Sequence, residues 1–345
     1  MIPQREYFDK SIANSDNTDG YYIIEQGDFV YNPRKSSDAP YGPVSIYKYP
    51  ESGIVSPLYL CFRALKPINS SFYDCFFKSP SWHRYIYLSG DSGARHDRVS
   101  IKDDVFFSMP VYIPSEEEQL KVSSFLSLIE KRIADQQQLV EHLKKYKRGL
   151  HKRVFSPKPH WSVKPLRDIA TFCGGGTPSK DVSKYWQGSI GWISSSDVQE
   201  DWIDEISISR RITEEAIANS ATKLCPKGTI AIISRVGVGK VAIMPEDLCT
   251  SQDYTNITTI DGDVTFFAYE IAHKMKIEAS KTQGTAIKGV TADTIKSMEM
   301  DIPDLHEQRK IATTLQKLDY RIKYEIQLLT LLQNAKRSLL QQLFI

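Results

Sequence analysis

Two glycine-rich stretches carry the residue types that cradle a phosphate, flexible backbone amides beside a lysine. They are Cys173-Gly-Gly-Gly-Thr-Pro-Ser-Lys180 and Arg235-Val-Gly-Val-Gly-Lys-Val241. The chemistry needs G-x-x-x-x-G-K-[ST], and neither stretch meets that spacing, so both read as turns. Tyr31-Asn-Pro-Arg-Lys35 brushes the Asn-Pro-Pro-aromatic signature of amino-methyltransferases. Its third motif residue is Arg34, however, and no glycine-rich cofactor loop precedes it. No H-E-x-x-H, G-x-S-x-G or paired-carboxylate nuclease pattern occurs. The 7 histidines are scattered and read as surface or satisfied core residues. The 5 cysteines form no C-x-x-C pair and read as reduced thiols. Neither a catalytic residue nor a metal ligand is expected.

What remains suits recognition. In the C-terminal half, loops carry Thr177, Ser179, Lys180, Ser194, Ser195, Ser196, Arg235, Lys240 and Gln252. In the N-terminal half, Asn32, Arg34 and Lys35 play the same part, with Arg95, His96 and Arg98 of a second loop. Hydroxyls, amides and cationic groups of this kind bond phosphates or base edges. Taken singly, each is also ordinary solvated loop polarity. The elements that hold them therefore matter more than the residues alone.

Those elements are repeated. Ile113-Pro-Ser-Glu-Glu-Glu-Gln119 returns as Ile302-Pro-Asp-Leu-His-Glu-Gln308, and identities continue at a constant offset of 189 residues to Phe155 and Phe344. An ungapped repeat of this length has to be recognised before the fold can be read. After each proline comes a helix start, Ser115 with Glu118 and Asp304 with Glu307, the pattern of a capping box. Apolar residues then alternate at spacings of four and three. The first seam includes Leu126, Ile129, Ile133, Val140, Leu143 and Leu150; the second includes Leu315, Leu318, Ile322, Leu329, Leu332 and Leu339. Sustained heptads of this kind specify a long helix with one apolar stripe, which needs a partner. The other copy is that partner, and the intervening domain favours an antiparallel pair. Polar residues break both seams at matching places, Gln136 with Glu325 and Lys147 with Lys336. They are expected to fix the register.

Between the helices the signals are those of β-strands. Gly228–Met244 reads as two strands around a glycine turn and Tyr254–Ile260 as a third. Gly42-x-Val44-x-Ile46 parallels Gly239-x-Val241-x-Ile243, so the globular part is repeated too. Residues 161–198 have no earlier counterpart, and the first domain is short by about forty residues at its head. The expected organisation is a first recognition domain over 1–114, a helix over 115–157, a second domain over 158–303 and a second helix over 304–345. The fold class is mixed α+β and α/β: two similar globular domains alternating with two long helices in an antiparallel coiled coil. The complete second domain is expected to supply most base-specific contacts. Ser195, Arg235 and Gln252 would read bases, with Lys180 and Lys240 on phosphates.

Composition bounds the partners. Lys+Arg 44 against Asp+Glu 42 leaves a net charge of +2, so any basic surface must be local. The N-terminus shows no signal-peptide pattern and no apolar run is long enough to span a bilayer, so a cytoplasmic protein without membrane contact is expected.

In these residues the chain resembles the specificity subunit of type I restriction–modification systems. The matching pieces are Leu166-Arg-Asp-Ile-Ala-Thr-Phe-Cys-Gly-Gly-Gly-Thr-Pro-Ser179, Tyr185-Trp-Gln-Gly-Ser-Ile-Gly-Trp-Ile193 and Gly53-Ile-Val-Ser-Pro-Leu-Tyr59. Both Ile-Pro-x-x-x-Glu-Gln helix starts and the helix ends Lys147–Phe155 and Lys336–Phe344 belong with them. The resemblance implies a non-catalytic subunit that reads a bipartite target in double-stranded DNA. It implies docking of two modification subunits, which would bind S-adenosylmethionine and methylate adenine, and of translocase/nuclease restriction subunits. This chain would itself bind no cofactor. The shortened first domain departs from the family. It leaves open a coiled-coil scaffold from an inactive or silent cassette, and more remotely a stand-alone DNA methyltransferase.

Overall fold

The computed structural model describes residues 18–66, 68–90, 97–281 and 289–344. The chain divides into two units, residues 1–139 with 325–345 and residues 140–324. The division passes through the middle of both long helices.

The first unit is built on short strands. In β1 (Tyr22–Ile24) and β4 (Gly53–Val55) the strands pair antiparallel. A second sheet holds β2 (Phe29–Tyr31) between β3 (Val44–Ile46) and β5 (Leu60–Phe62), again antiparallel. Three helices follow, α1 (Ser70–Lys78), α2 (His83–Ser89) and α3 (Asp103–Phe107). Their inward residues make an aromatic core of Phe72, Phe76, Phe77, Trp82 and Phe106 against Phe29 and Tyr31. Aromatic side chains bury much area per residue, which suits a small unit. The Trp82 indole still finds an acceptor, the Phe77 carbonyl at 3.0 Å. Leu126, from the first half of α4 (Glu116–Val154), and the C-terminal Leu340 and Phe344 close this core.

The second unit contains β6 (Ser162–Pro165), β7 (Ala170–Gly174), β8 (Ile190–Ile193), β9 (Arg210–Ile212) and α5 (Glu214–Ala218). It continues through β10 (Leu224–Cys225), β11 (Ile230–Ile233), β12 (Val241–Ile243), β13 (Leu248–Thr250) and β14 (Tyr254–Ile260). The rest is α6 (Val264–Lys281), α7 (Ala292–Lys296), β15 (Glu299–Ile302) and α8 (Leu305–Leu343). One sheet runs β12-β11-β14-β7 and another β10-β13-β8-β9, with β13 and β8 parallel; β15 pairs with β6. The main core lies between the first sheet and α6, and Leu150, Phe155 and Leu315 of the long helices join it.

The repeat holds at the level of register. Phe29 pairs with Ile46 and Phe62, as Ile230 pairs with Ile243 and Ile257. Gly42 (φ 79°) and Gly239 (φ 101°) precede the return strands β3 and β12 in the left-handed conformation that glycine adopts without strain.

Each long helix has 39 residues, about 58 Å at 1.5 Å per residue. Their starts are identical in detail. Ser115 Oγ accepts from Glu118 N and Asp304 Oδ1 from Glu307 N. The repeated glutamine is explained as well: buried Gln119 and Gln308 each donate to the preceding proline carbonyl at 2.9 Å. The expected reciprocal half of the capping box is absent at Glu307. Its carboxylate instead accepts from the Trp161 indole at 3.0 Å. All twelve seam leucines, isoleucines and valines named from the sequence are buried or half-buried, whereas Leu128 and Leu331, off the seam, are exposed. Leu340, outside the sequence-read seam, is buried because it packs into the aromatic core of the first unit.

Candidate nucleic-acid interface

In the second unit the glycine run is a packing device. A Cβ on Gly175 would lie 2.0 Å from the Ser251 carbonyl oxygen, and one on Gly176 would lie 2.4 Å from the Ala221 backbone. Close approach lets Gly176 N bond the Thr250 carbonyl at 2.8 Å and its own carbonyl accept the Trp192 indole at 3.0 Å. The following Thr177 hydroxyl thereby reaches Gln252, to which it donates. Ser179 and Lys180 continue on the exposed side of this loop, and the Ser179 carbonyl is held by the Trp186 indole at 3.0 Å.

The Ser194–Ser196 turn is equally fixed. Ser194 N and Oγ both donate to Asp197 Oδ2, at 2.7 and 2.9 Å, and Tyr254 donates its hydroxyl to the Ser194 carbonyl at 2.8 Å. Arg210 bonds both Ser194 Oγ and Asp197, and its guanidinium lies 4.6 Å from the Trp192 ring centroid. Charge-assisted bonds to a buried carboxylate hold this corner firmly. Lys240 reaches the turn from the β11–β12 hairpin and donates to the Ser195 and Val198 carbonyls at 3.4 and 3.1 Å. Half-buried, its ammonium is engaged by the protein's own carbonyls, whereas the sequence suggested a phosphate contact.

Arg235 is exposed at the tip of the same hairpin. Its neighbour Ser234 donates N–H and hydroxyl to the Asp253 carbonyl at 2.8 and 2.9 Å. Gln252 precedes the Asp253 that this neighbour is bonded to, and its side chain accepts from Thr177. Burial pushes the nearby Cys225 and Cys249 thiols up to about 12 and about 11, so neither is a thiolate nucleophile near neutral pH.

The first unit repeats part of this. Lys35 N bonds the Asp97 carbonyl at 2.8 Å, Arg34 and Arg98 form a bridge pair, and Asn32 Oδ1 caps Arg34 N at 3.0 Å. Asn32, Arg34, Lys35 and Arg98 are thereby brought together; Arg95 and His96 lie outside the described residues. Val99 N bonds the Pro33 carbonyl at 2.8 Å, and Val290 N bonds the Ser234 carbonyl at 2.8 Å. The following residues, Arg34 and Arg235, are structural equivalents.

Sequence reasoning missed Arg210, whose only signal was the doublet Arg210-Arg211 before an isoleucine. It also missed the pairing of Arg34 with Arg235. That equivalence is visible only once the strands are in register. Among the described residues no group of three or more His, Cys, Asp or Glu could hold a metal ion, and no helix is long and apolar enough to cross a membrane.

Two related β units, each showing an arginine from the equivalent hairpin and each packed on long-helix residues, define an internally duplicated protein. Residues 159–334 match the family model of the type I restriction modification DNA specificity domain, and the chain belongs to that family. It is 35% identical over 191 residues to the type I restriction enzyme MjaIX specificity subunit of Methanocaldococcus jannaschii, covering 54% of this chain and 44% of that protein. It is 31% identical over 164 residues to the EcoR124I/EcoR124II specificity subunit of Escherichia coli, covering 45% and 40%. Each match thus spans less than half the length of the relative. In fold, the chain is similar to the HsdS subunit of Thermoanaerobacter tengcongensis (TM-score 0.55, 15% identity, 93% and 81% covered). It is also similar to the S subunit of M. genitalium (TM-score 0.56, 14% identity, 97% and 87% covered).

Proposed function

We propose that this chain is the DNA-reading, non-catalytic subunit of a cytoplasmic type I restriction–modification complex and that each unit addresses one half of a bipartite target in double-stranded DNA. The observation that carries this reading is the equivalence of Arg34 and Arg235. A guanidinium on a braced hairpin can bond the O6/N7 edge of guanine bidentately in the major groove. Thr177, Gln252 and Ser196 would add further donors and acceptors in the second unit, while Lys180 suits a phosphate. The paired helices set the separation of the half-sites and offer docking surfaces for two modification subunits. S-adenosylmethionine belongs on those subunits, and restriction subunits join them.

The second unit supplies most of the base reading, because its head loops are braced by the Ser194–Asp197–Arg210 corner. The test is binding of the complex with modification subunits to duplexes in which each half-site is scrambled in turn. Scrambling the half addressed by the second unit should cost more. Equal loss from both halves would show that the first unit reads as well, and no loss from either would leave the chain a scaffold.

A further inference from the structure

Residues 201–205, between β8 and β9, lie against both long helices, and a lysine from each helix meets Trp202 there. Lys147 of α4 stands 4.6 Å from the Trp202 ring centroid and Lys323 of α8 stands 4.9 Å from it. Lys147 also donates to the Asp201 carbonyl at 2.7 Å, and Lys323 pairs with Asp204 at 2.6 Å and Glu205 at 2.8 Å. Lys276 of α6 adds a third tie, to Asp201 at 3.4 Å. The Lys147 and Lys323 side chains are only 15% and 17% exposed, so both charges act with much of their water removed. Cation–π contacts and charge-assisted bonds are strongest under that condition.

Helix pairing does not account for Lys323. The pair Lys147–Asp319 recurs in the repeat as Lys336–Glu130, but the offset of 189 residues puts Ala134 at the position of Lys323. A lysine that the equivalent helix replaces by alanine serves the loop rather than the seam. Packing under the loop is incomplete, for a cavity of about 280 Å³ is lined by Trp202 and Ile203 together with His151 and Tyr269. The lysines supply a hold that close packing does not. From this clasp, bonds run on toward the reading loops. Ile243 N bonds the Ile203 carbonyl at 2.7 Å, Val198 and Ile206 form a bridge pair, and Ser207 N bonds the Asp197 carbonyl at 2.8 Å. Asp197 is the carboxylate that braces Ser194 and Arg210.

We propose that Trp202 is a positioning residue for DNA reading: held by Lys147 and Lys323, it fixes where the second unit's reading loops stand on the helices and thereby the spacer tolerated between the half-sites. This inference rests on the DNA-reading function proposed above. Half-site spacing mirrors the geometry of the protein that reads it, and each base pair shifts a half-site by about 3.4 Å along the duplex. A loop gripped by both helices cannot follow that shift. A loosened one can.

The test is selection by the chain with its modification subunits from a duplex pool that varies both the half-sites and the spacer between them. The parent should enrich one motif with one spacer length. Trp202→Leu should enrich the same bases in both halves, while discrimination against a spacer one base pair longer or shorter falls by about tenfold. Lys323→Ala, which installs the residue of the equivalent helix, should do the same and covers the case in which the leucine variant does not assemble. Trp202→Phe keeps a ring beside the lysines and should return the parent's single spacer. A merely structural role would lower melting temperature and overall affinity without moving the spacer. Retention of the single spacer by Trp202→Leu and Lys323→Ala overturns the proposal, as does loss of base preference in either. A parent that enriches no motif would instead remove the DNA-reading function on which the proposal rests.

Discussion

Gln136 donates its side-chain amide to the main-chain carbonyl of Glu325 at 3.1 Å and also to its carboxylate, and the two residues are separated by 189 positions, the offset of the repeat. The same position of the two helix copies therefore meets itself. Both residues are buried, at 1% and 2% exposure, in an otherwise apolar seam. The next interruption follows the same rule in each unit: Lys147 lies 2.6 Å from Asp319 and Lys336 lies 2.7 Å from Glu130, equivalent pairs at the same offset. Buried polar partners meet in one alignment only, which is how they fix register.

Glu325→Ala should therefore destabilise the chain by about 1–3 kcal/mol, the usual cost of leaving a buried donor without its acceptor. The double variant Gln136→Leu/Glu325→Leu should recover most of that loss, because apolar replacement of both partners removes the desolvation cost. Denaturant midpoints of the single and double variants check this. Equal losses in both would mean that the pair does not act as a polar unit.

Arg235 and Lys240, five residues apart, should behave differently. Arg235→Ala is expected to cost about 1–3 kcal/mol of DNA affinity and to relax one position of the target. Lys240→Ala removes the brace on the Ser195 and Val198 carbonyls, so it should lower thermal stability. The salt dependence of DNA binding should stay unchanged, whereas a lost phosphate contact would flatten it. Salt titrations of both variants separate the roles.

His151 gives a pH dependence. It packs edge-on to Tyr269 at 5.6 Å, and burial, with Lys147 and His273 nearby, pushes its imidazole down to about 3. A depressed base contributes stability above its unfolded value, near 6.5, that is lost as pH falls toward the folded value. The parent should lose melting temperature between pH 6.5 and 4 more steeply than His151→Gln. Parallel curves would show that His151 is protonated without cost.

Much of this was legible in the sequence because it is local or periodic. The heptads, the capping residues Ser115 and Asp304, and the hairpin around Gly237 and Gly239 depend on neighbours within a few residues. The glycine run at 174–176 was read only as a turn, because its reason lies in contacts with Ala221 and Ser251, far along the chain. Lys240 looked like a phosphate ligand since nothing nearby in sequence shows that it reaches Ser195. Arg34 and Arg235 became equivalents only when β2 and β11 were superposed by register.

The central claim is that this chain chooses a DNA sequence, and selection from a randomised duplex pool tests it most directly. The chain with its modification subunits, at fixed salt, should enrich one bipartite motif. Arg235→Ala should relax a single position in one half and Arg34→Ala a single position in the other. An unenriched pool, or the same motif from the parent and both variants, would contradict the account.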